Sequence, residues 1–218
     1  MNNSFGESSE ITEYTFKIIL IGNSGVGKTS ILNKYVKNIF DENYLSTIGV
    51  DFVVKNITIF DKNVRLRIWD TVGQEKYYST AKNYFWGSDA CFLVFDLTSR
   101  ESFQNLNNWL ELLRNNCDND TQNNIVILGN KCDLNEIKVS EIEIDEFNSD
   151  KHFKYFETSA KDGRNINECF NFISEKLIYE LEHDNIKKKE LNTSKFKESF
   201  YEPKRNEDSN SLNNYKCC

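Results

Sequence analysis

The sequence predicts an α/β fold in which helices cover both faces of a mostly parallel sheet. Continuous apolar runs at residues 91–95 and 125–128 are typical of strands that are buried on both faces. Apolar residues recur at helical spacing over residues 103–113 and 166–177. Strands that alternate with helices in this way predict right-handed crossovers and a ligand site at the carboxyl ends of the strands.

The remaining elements fit the same order along the chain. Residues 16–21 form an apolar run that predicts a first strand, and residues 29–36 suit a helix. Residues 52–60 and 64–69 alternate on either side of a short polar turn, which predicts an antiparallel hairpin. Residues 139–151 fit no period well, and we interpret them as a helix.

Length and composition limit the number of domains and the class of ligand. With 218 residues, 39% of them hydrophobic, the chain can bury the core of one domain. We predict that domain over residues 14–183, after a flexible extension at residues 1–13 and before a disordered tail at residues 184–218, which is rich in Lys, Asn and Ser. No apolar run approaches the roughly 18 residues that a membrane crossing requires, and no signal sequence is evident, which predicts a cytoplasmic protein. The net charge of −7 argues against nucleic-acid binding.

A phosphate-binding loop is predicted between the first strand and the first helix. The segment GNSGVGKT at residues 22–29 matches the pattern GxxxxGK[ST] completely. Its glycines allow successive N–H groups to point at phosphate oxygens, Lys28 neutralises the outer phosphates, and the Thr29 hydroxyl can bind Mg²⁺. The predicted phosphate-binding residues are Ser24, Gly25, Val26, Gly27, Lys28, Thr29 and Ser30.

The segment DTVGQE, residues 70–75, follows the second strand of the hairpin. Asp70 would lie opposite the phosphate loop and hold Mg²⁺, although an aspartate here could also cap a helix. The N–H of Gly73 can approach a terminal phosphate closely. Gln74 can hold a water molecule in line with that phosphate, so we predict that it positions the attacking water.

Two further segments predict that the base is guanine. Asn130, Lys131 and Asp133 follow a buried strand, and the Asp133 carboxylate can accept two parallel hydrogen bonds from the N1–H and amine of guanine. Adenine offers no such pair of donors, so it would leave the carboxylate unsatisfied. The downstream segment Ser159, Ala160 and Lys161 would supply a backbone N–H to the guanine oxygen.

On these motifs the chain resembles a Ras-superfamily small GTPase, and within that group a Rab protein, over about residues 16–181. The resemblance implies a three-layer P-loop G domain with a six-stranded sheet that has one antiparallel strand. It implies that GTP or GDP binds with Mg²⁺, that Thr47 is a second Mg²⁺ ligand and catalytic with Lys28 and Gln74, and that Phe40 packs against the guanine.

The segment IGVDF at residues 48–52 is similar to the one that distinguishes Rab proteins from Ras and Rho proteins. The resemblance then implies an effector surface that includes Ile48, Phe52, Trp69 and Tyr84. The three aromatic residues could equally be plain core residues. Val72 stands where Rab proteins usually have Ala, which can alter nucleotide exchange or turnover, and residues 76–78 and 84–87 also depart from the family pattern.

The chain ends in Cys217 and Cys218, which resembles the Rab signal for double geranylgeranylation. Two lipid chains would anchor the protein stably to the cytosolic face of an internal membrane. The family further implies effectors, an exchange factor, a GTPase-activating protein (GAP) and a GDP-dissociation inhibitor as partners of a monomeric G domain.

The leading hypothesis is therefore a GTP-dependent switch that regulates vesicle traffic and hydrolyses GTP slowly. One alternative is a scaffold that binds GTP with little or no turnover, which Val72 motivates. A phosphate-loop kinase is a third hypothesis, but the sequence has no evident acceptor-binding region or lid.

Overall fold

The computed structural model describes residues 14–42, 51–71, 84–117 and 119–199. In chain order the described strands are β1 Tyr14–Ile21, β2 Asp51–Ile59, β3 Lys62–Asp70, β4 Ala90–Asp96, β5 Ile125–Asn130 and β6 Lys154–Glu157. The described helices are α1 Lys28–Lys37, α2 Arg100–Gln104, α3 Leu106–Arg114, α4 Asn119–Asn123, α5 Glu141–Asn148 and α6 Ile166–Ser199.

Within the described residues the six strands form one sheet in the order β2-β3-β1-β4-β5-β6. Strand β2 pairs with β3 antiparallel, and the other neighbouring strands pair parallel. This arrangement confirms the predicted mostly parallel sheet with one antiparallel hairpin. Because β1, β4, β5 and β6 are parallel, the loops that follow them lie at the same edge of the sheet.

Two hydrophobic clusters lie on opposite faces of the sheet. Alternate residues of β1 belong to different clusters, since Ile18 packs with residues of α1 and α6 whereas Ile19 packs with residues of α3 and α5. Successive side chains of a strand point to opposite faces, so helices cover the sheet on both sides. The predicted three-layer α/β fold is confirmed.

Local sequence accounts for where helix α5 begins. Ser140 caps α5: its hydroxyl accepts a hydrogen bond from the N–H of Glu143, and the Glu143 carboxylate accepts one from the N–H of Ser140. The helix predicted over residues 139–151 is therefore present over Glu141–Asn148. The apolar stripe of residues 103–113 is divided between two helices, α2 and α3, which meet at Asn105.

The last helix extends further than expected. Residues 184–199 continue α6 to Ser199, whereas the sequence predicts disorder from residue 184 onward. The segment contains neither glycine nor proline before Pro203, so nothing in it interrupts a helix, and we correct the prediction for these residues. Among the described residues no helix combines the length and apolar character that a membrane crossing requires.

Candidate functional site

The loop between β1 and α1 has the compact shape that phosphate binding requires. A Cβ atom on Gly22 would lie 2.1 Å from the carbonyl oxygen of Val94, so the loop packs directly against β4. Gly27 has a φ of 98°, and a Cβ there would lie 2.3 Å from the Nδ2 atom of Asn130. Only glycine fits both positions. Because α1 begins at Lys28 with no acidic residue in its first turn, its positive end is suited to an anion.

Lys28 folds back over this loop. Its side chain is buried, and its Nζ atom donates hydrogen bonds of 2.8 Å to the carbonyl oxygens of Gly22 and Asn23. Burial lowers the pKa of Lys28 from 10.5 to about 8, although the nearby Asp70 carboxylate opposes the shift. The ammonium is therefore held inside the loop where phosphate oxygens would stabilise its charge.

The two described residues predicted to bind Mg²⁺ are in contact. The Thr29 Oγ1 atom donates a hydrogen bond of 2.5 Å to Oδ2 of Asp70, which ends β3 and is buried. Asp70 lies beside Leu20 in the parallel register of β1 and β3, so the sheet brings it to the phosphate loop. Mg²⁺ prefers oxygen ligands and usually takes one or two from the protein, with phosphate and water completing the shell. The hydroxyl and the carboxylate fit such a site.

Asn130 connects the predicted phosphate loop to the predicted base-binding segment. It is buried at the end of β5, and its Nδ2 atom donates a hydrogen bond of 2.8 Å to the carbonyl oxygen of Val26. Its Oδ1 atom accepts hydrogen bonds of 3.2 Å from the N–H of Ala160 and 3.3 Å from the Thr158 hydroxyl. One amide side chain thus joins three segments that are far apart in sequence.

Asp133 and Ser159, both predicted to recognise guanine, also contact each other. The Ser159 hydroxyl donates a hydrogen bond of 2.7 Å to Oδ1 of Asp133 and accepts one of 3.0 Å from the N–H of Asp162. Ser159 is fully buried. The carboxylate of Asp133 is therefore oriented by a fixed neighbour.

Lys131 and Lys161 form ion pairs near this segment. Lys131 has a left-handed backbone with a φ of 67°, and its Nζ atom lies 2.6 Å from Oδ2 of Asp96. Lys161 forms a more exposed ion pair of 3.2 Å with Glu42, which follows α1. Phe40, near Glu42, is half-buried against the core cluster of α1 and α6.

Two contributors to the site were missed by the sequence analysis. Asp96, the last residue of β4, accepts hydrogen bonds from the N–H and hydroxyl of Thr98 in addition to its ion pair with Lys131. The Nε1 atom of Trp109 in α3 donates a hydrogen bond of 2.8 Å to Oδ1 of Asn23 in the phosphate loop. Asp96 could have been found because it ends a buried strand, whereas nothing in the sequence pairs Trp109 with Asn23.

The aromatic surface, which we define as Phe52, Trp69 and Tyr84, lies on and beside the hairpin. Phe52 stacks on Trp69 with ring centroids 5.1 Å apart, and Trp69 lies 5.8 Å from Tyr84. Phe52 is 51% exposed, so it is not a core residue, while Trp69 and Tyr84 are half-buried. The Lys17 ammonium lies 5.0 Å from the centre of the Trp69 ring.

The other predicted residues lie outside the described part of the chain. They are Thr47, Ile48, Gly73, Gln74, Cys217 and Cys218. Their roles remain predictions.

A family model described as "Ras: Ras family" matches residues 17–179. A Rab-11B from Dictyostelium discoideum is 41% identical over 170 residues, which cover 78% of this chain and 76% of that protein. The human Rab-8B is 37% identical over 170 residues, covering 78% and 81%. The Rab-13 of Mesocricetus auratus is 35% identical over 167 residues, covering 76% and 81%. The chain belongs to the Rab family of small GTPases. The resemblance inferred from the motifs is therefore confirmed.

Membership of this family indicates which ligands and which reaction the described geometry serves. Ras-superfamily proteins in general bind GTP or GDP with Mg²⁺ and hydrolyse GTP. In this Rab-family protein the phosphate loop, the Thr29–Asp70 pair and the Asn130–Asp133 segment lie at the carboxyl edge of one sheet, as a nucleotide site requires.

Proposed function

We propose that this Rab-family protein is a GTP-dependent switch that recruits effectors and regulates intracellular vesicle traffic. The observation that carries the proposal is the Asn130 side chain, which hydrogen-bonds to both the phosphate loop and the Ala160 segment. Ligands for the phosphates and for the base are therefore held at a fixed distance from each other. A nucleotide that spans them would be bound at both ends.

Lys28 and the loop amides would hold the phosphates. The Lys28 ammonium now donates to two loop carbonyls, and β- and γ-phosphate oxygens would offer it anionic acceptors instead. Bound Mg²⁺ would neutralise phosphate charge, and Thr29, Asp70 and Thr47 would hold it. The residues that would hold the metal thus come from three separate segments of the chain.

Asp133 would select guanine by accepting hydrogen bonds from N1–H and the exocyclic amine. The Ser159 hydroxyl orients the Asp133 carboxylate by a hydrogen bond. A backbone N–H of the segment that contains Ser159 and Ala160 would bind the guanine oxygen. Lys131 and Phe40 would pack against the faces of the base. Adenine offers no such pair of donors, so it would leave the Asp133 carboxylate without hydrogen-bond partners. Adenine nucleotides should therefore bind more weakly than guanine nucleotides.

Hydrolysis would be slow without a partner. Gln74 would position water in line with the terminal phosphate, and Gly73 and Thr47 would contact that phosphate and its metal. Among the described residues of the phosphate loop the cationic side chain is Lys28, so a GAP would supply the additional positive charge that the transition state needs.

Loss of the terminal phosphate would release Thr47 and Gly73, and the segments around them would change conformation. The aromatic surface lies at the end of the hairpin that adjoins these segments in sequence, since Phe52 and Trp69 are cross-strand neighbours next to Asp70. We infer that effectors contact Ile48, Phe52, Trp69 and Tyr84 in the GTP form.

Membrane attachment would depend on Cys217 and Cys218. Two geranylgeranyl chains give stable binding where one is marginal. The protein would then act on the cytosolic face of an internal membrane, cycling through an exchange factor, a GAP and a GDP-dissociation inhibitor.

Single-turnover GTP hydrolysis by the Gln74→Leu variant tests the switch. We expect loss of intrinsic and GAP-stimulated phosphate release with GTP still bound, while Gln104→Leu, on the exposed side of α2, behaves like the wild type. Unchanged hydrolysis in Gln74→Leu would refute the role of that glutamine. Absence of turnover in the wild type, even with GAPs active on Rab proteins, would favour the GTP-binding scaffold instead.

Localisation of a tagged full-length chain tests the anchoring. The wild type should concentrate on internal membranes, and a variant with serine at both Cys217 and Cys218 should be diffuse in the cytosol. Replacement of Cys117, which lies in the described domain, provides the matched control. Membrane association of the double variant would contradict the proposal.

A further inference from the structure

A cavity lies at the edge of the sheet opposite the predicted nucleotide site. Its volume is about 470 Å³, within the range of small-molecule sites. Ile125 and Lys154, which begin β5 and β6, line it, together with Phe172 and Lys176 of α6. The nucleotide-binding segments follow the other ends of the same strands, so the two sites are separated by the length of the sheet.

The cavity is basic although the chain is acidic. Three lysines and a histidine line it, Lys151, His152, Lys154 and Lys176, and its lining residues include no Asp or Glu. Beside the lining, the Asp150 carboxylate forms an ion pair of 2.6 Å with Lys151 and is itself 76% exposed. In a protein with a net charge of −7, this is a local reversal of charge that favours anions.

The cavity wall is held in place by the protein itself. Asn148 donates a hydrogen bond of 2.7 Å to the carbonyl oxygen of Phe153 and accepts one of 2.9 Å from its N–H. His152 between them has a left-handed backbone with a φ of 54°. The ammonium groups of Lys151 and Lys176 each donate a hydrogen bond of 2.6 Å to a main-chain carbonyl. The site is therefore formed before any ligand arrives.

Lys154 differs from the other two lysines. In the described part of the chain, the contacts recorded for its ammonium are with the rings of Phe156 and Phe172, at 5.4 and 5.9 Å from their centres. An aromatic face orients an ammonium but leaves its N–H donors able to bind an acceptor. Lys154 thus offers donors to a ligand without first giving up a hydrogen bond to the protein.

We propose that this cavity binds a compact anion that carries two or more phosphate monoester groups. Lysine ammonium groups act as point charges and suit tetrahedral phosphate, whereas the planar fork of arginine, which is absent from the lining, would favour carboxylate. Several lysines match more than one phosphate. The apolar side chains of Ile125 and Phe172 would contact the ring or carbon skeleton that joins the phosphate groups. The phosphates can belong to a soluble molecule or to a lipid headgroup.

Calorimetric titration of the GDP- and Mg²⁺-loaded full chain with inositol 1,4,5-trisphosphate tests the site. We expect saturable binding of one molecule, with GDP retained. Lys154→Gln should weaken it about tenfold, since a hydrogen bond between charged groups contributes roughly that factor. Lys62→Gln is the matched control because Lys62 also lies over an aromatic ring, Tyr14, but outside the cavity. Its affinity should equal that of the wild type.

A second arm identifies the source of the phosphates. Binding to vesicles that contain phosphatidylinositol 4,5-bisphosphate, lost in Lys154→Gln but not in Lys62→Gln, supports a lipid headgroup. Binding of the soluble trisphosphate without such vesicle binding supports a free anion. Equal weakening in both variants, no saturable binding, or release of GDP by the probe would overturn the proposal. Equal melting temperatures of the two variants show that Lys154→Gln is folded.

Discussion

The two halves of the sheet differ in how they are covered. Every residue of β4 and β5 is buried, whereas β2 alternates and leaves Phe52 and Val54 exposed on the outer face of the hairpin. The predicted base-binding residues Asn130, Lys131 and Asp133 end or follow the buried strand β5, and the aromatic surface stands on the hairpin. Substitutions among the predicted base-binding residues are thus expected to lower both nucleotide affinity and the free energy of unfolding. Substitutions on the aromatic surface are expected to weaken only the binding of partner proteins.

The same difference is visible in the side-chain hydrogen bonds. At the buried half, Asn130 and Ser159 join loops that are 26 or more residues apart, as in the bond between the Ser159 hydroxyl and Asp133. On the hairpin the recorded contacts of Phe52 and Trp69 are ring contacts. Hydrogen-bond networks in a buried site fix one geometry, whereas exposed rings can repack against a partner.

The largest effect is expected from Asp133→Asn. The new amide would present its N–H₂ to a guanine donor, so one charged hydrogen bond is lost and one polar group is left unsatisfied. GDP affinity should fall by about 10²- to 10⁴-fold. Xanthosine diphosphate, which has an oxygen where guanine has its amine, should bind better than GDP. Equilibrium titration with both nucleotides measures this, with Asp145→Asn on the exposed side of α5 as control. Undiminished GDP binding would contradict the assignment of Asp133.

Asn130→Ala should weaken the connection between the phosphate loop and the Ala160 segment. The substitution leaves the carbonyl of Val26 and the N–H of Ala160 without their buried partner, at a cost of about 1–3 kcal/mol each. The free energy of unfolding should therefore fall by about 2–6 kcal/mol, even in the absence of nucleotide. Urea unfolding measures it. The control Asn108→Ala, on the exposed side of α3, should change the value by less than about 0.5 kcal/mol. An equally small effect at Asn130 would mean that it does not connect the segments.

Much of the site was predictable because its residues adjoin strand ends. Lys28, Asp70 and Asn130 each lie within a short motif that follows an apolar run, and parallel strands bring such ends together. The alternation of residues 52–60 predicted the hairpin for a similar reason. Local patterns and one rule of topology were sufficient for these features.

Contacts between distant segments were not predictable. Trp109 belongs to an apolar stripe and shows no sign that its N–H reaches Asn23, 86 positions earlier. The extension of α6 to Ser199 was missed because polar composition predicts disorder, whereas the absence of glycine and proline allows a helix to continue. Composition reports whether a segment can build a core, which is a different question from whether its backbone is helical.

A smaller effect concerns the protonation of Lys28. Its pKa of about 8 in the nucleotide-free protein should rise when phosphate anions replace the loop carbonyls as acceptors. Nucleotide binding should then take up protons above pH 8, and affinity should fall by up to about tenfold per pH unit there. Calorimetry at pH 8.5 in buffers of different ionisation enthalpy measures the uptake. The Lys28→Met variant lacks the ammonium and should take up fewer protons on binding nucleotide. Proton uptake equal to that of the wild type would contradict the assignment to Lys28.

The same shift has a defined sign for stability. Because the pKa of Lys28 is lower in the folded state than the usual 10.5, both states are protonated below about pH 8 and burial of the charge is fully unfavourable. As pH rises from about 8 to 10.5 the folded state loses its proton first, so this unfavourable contribution is removed. The nucleotide-free wild type should gain stability relative to Lys28→Met across that range, as urea unfolding at several pH values would show.

The smallest effect on the domain is expected from Phe52→Ala. The ring is 51% exposed, so its removal should change the free energy of unfolding by less than about 1 kcal/mol and leave GDP affinity unchanged. Proteins retained from a cell extract by the GTP-loaded wild type, but not by the GDP-loaded form, should be lost with this variant. Ile142→Ala, at a position that is 71% exposed on α5, is the control and should retain them. A loss of more than about 2 kcal/mol of stability at Phe52 would instead assign the stacked aromatic residues to the support of the hairpin.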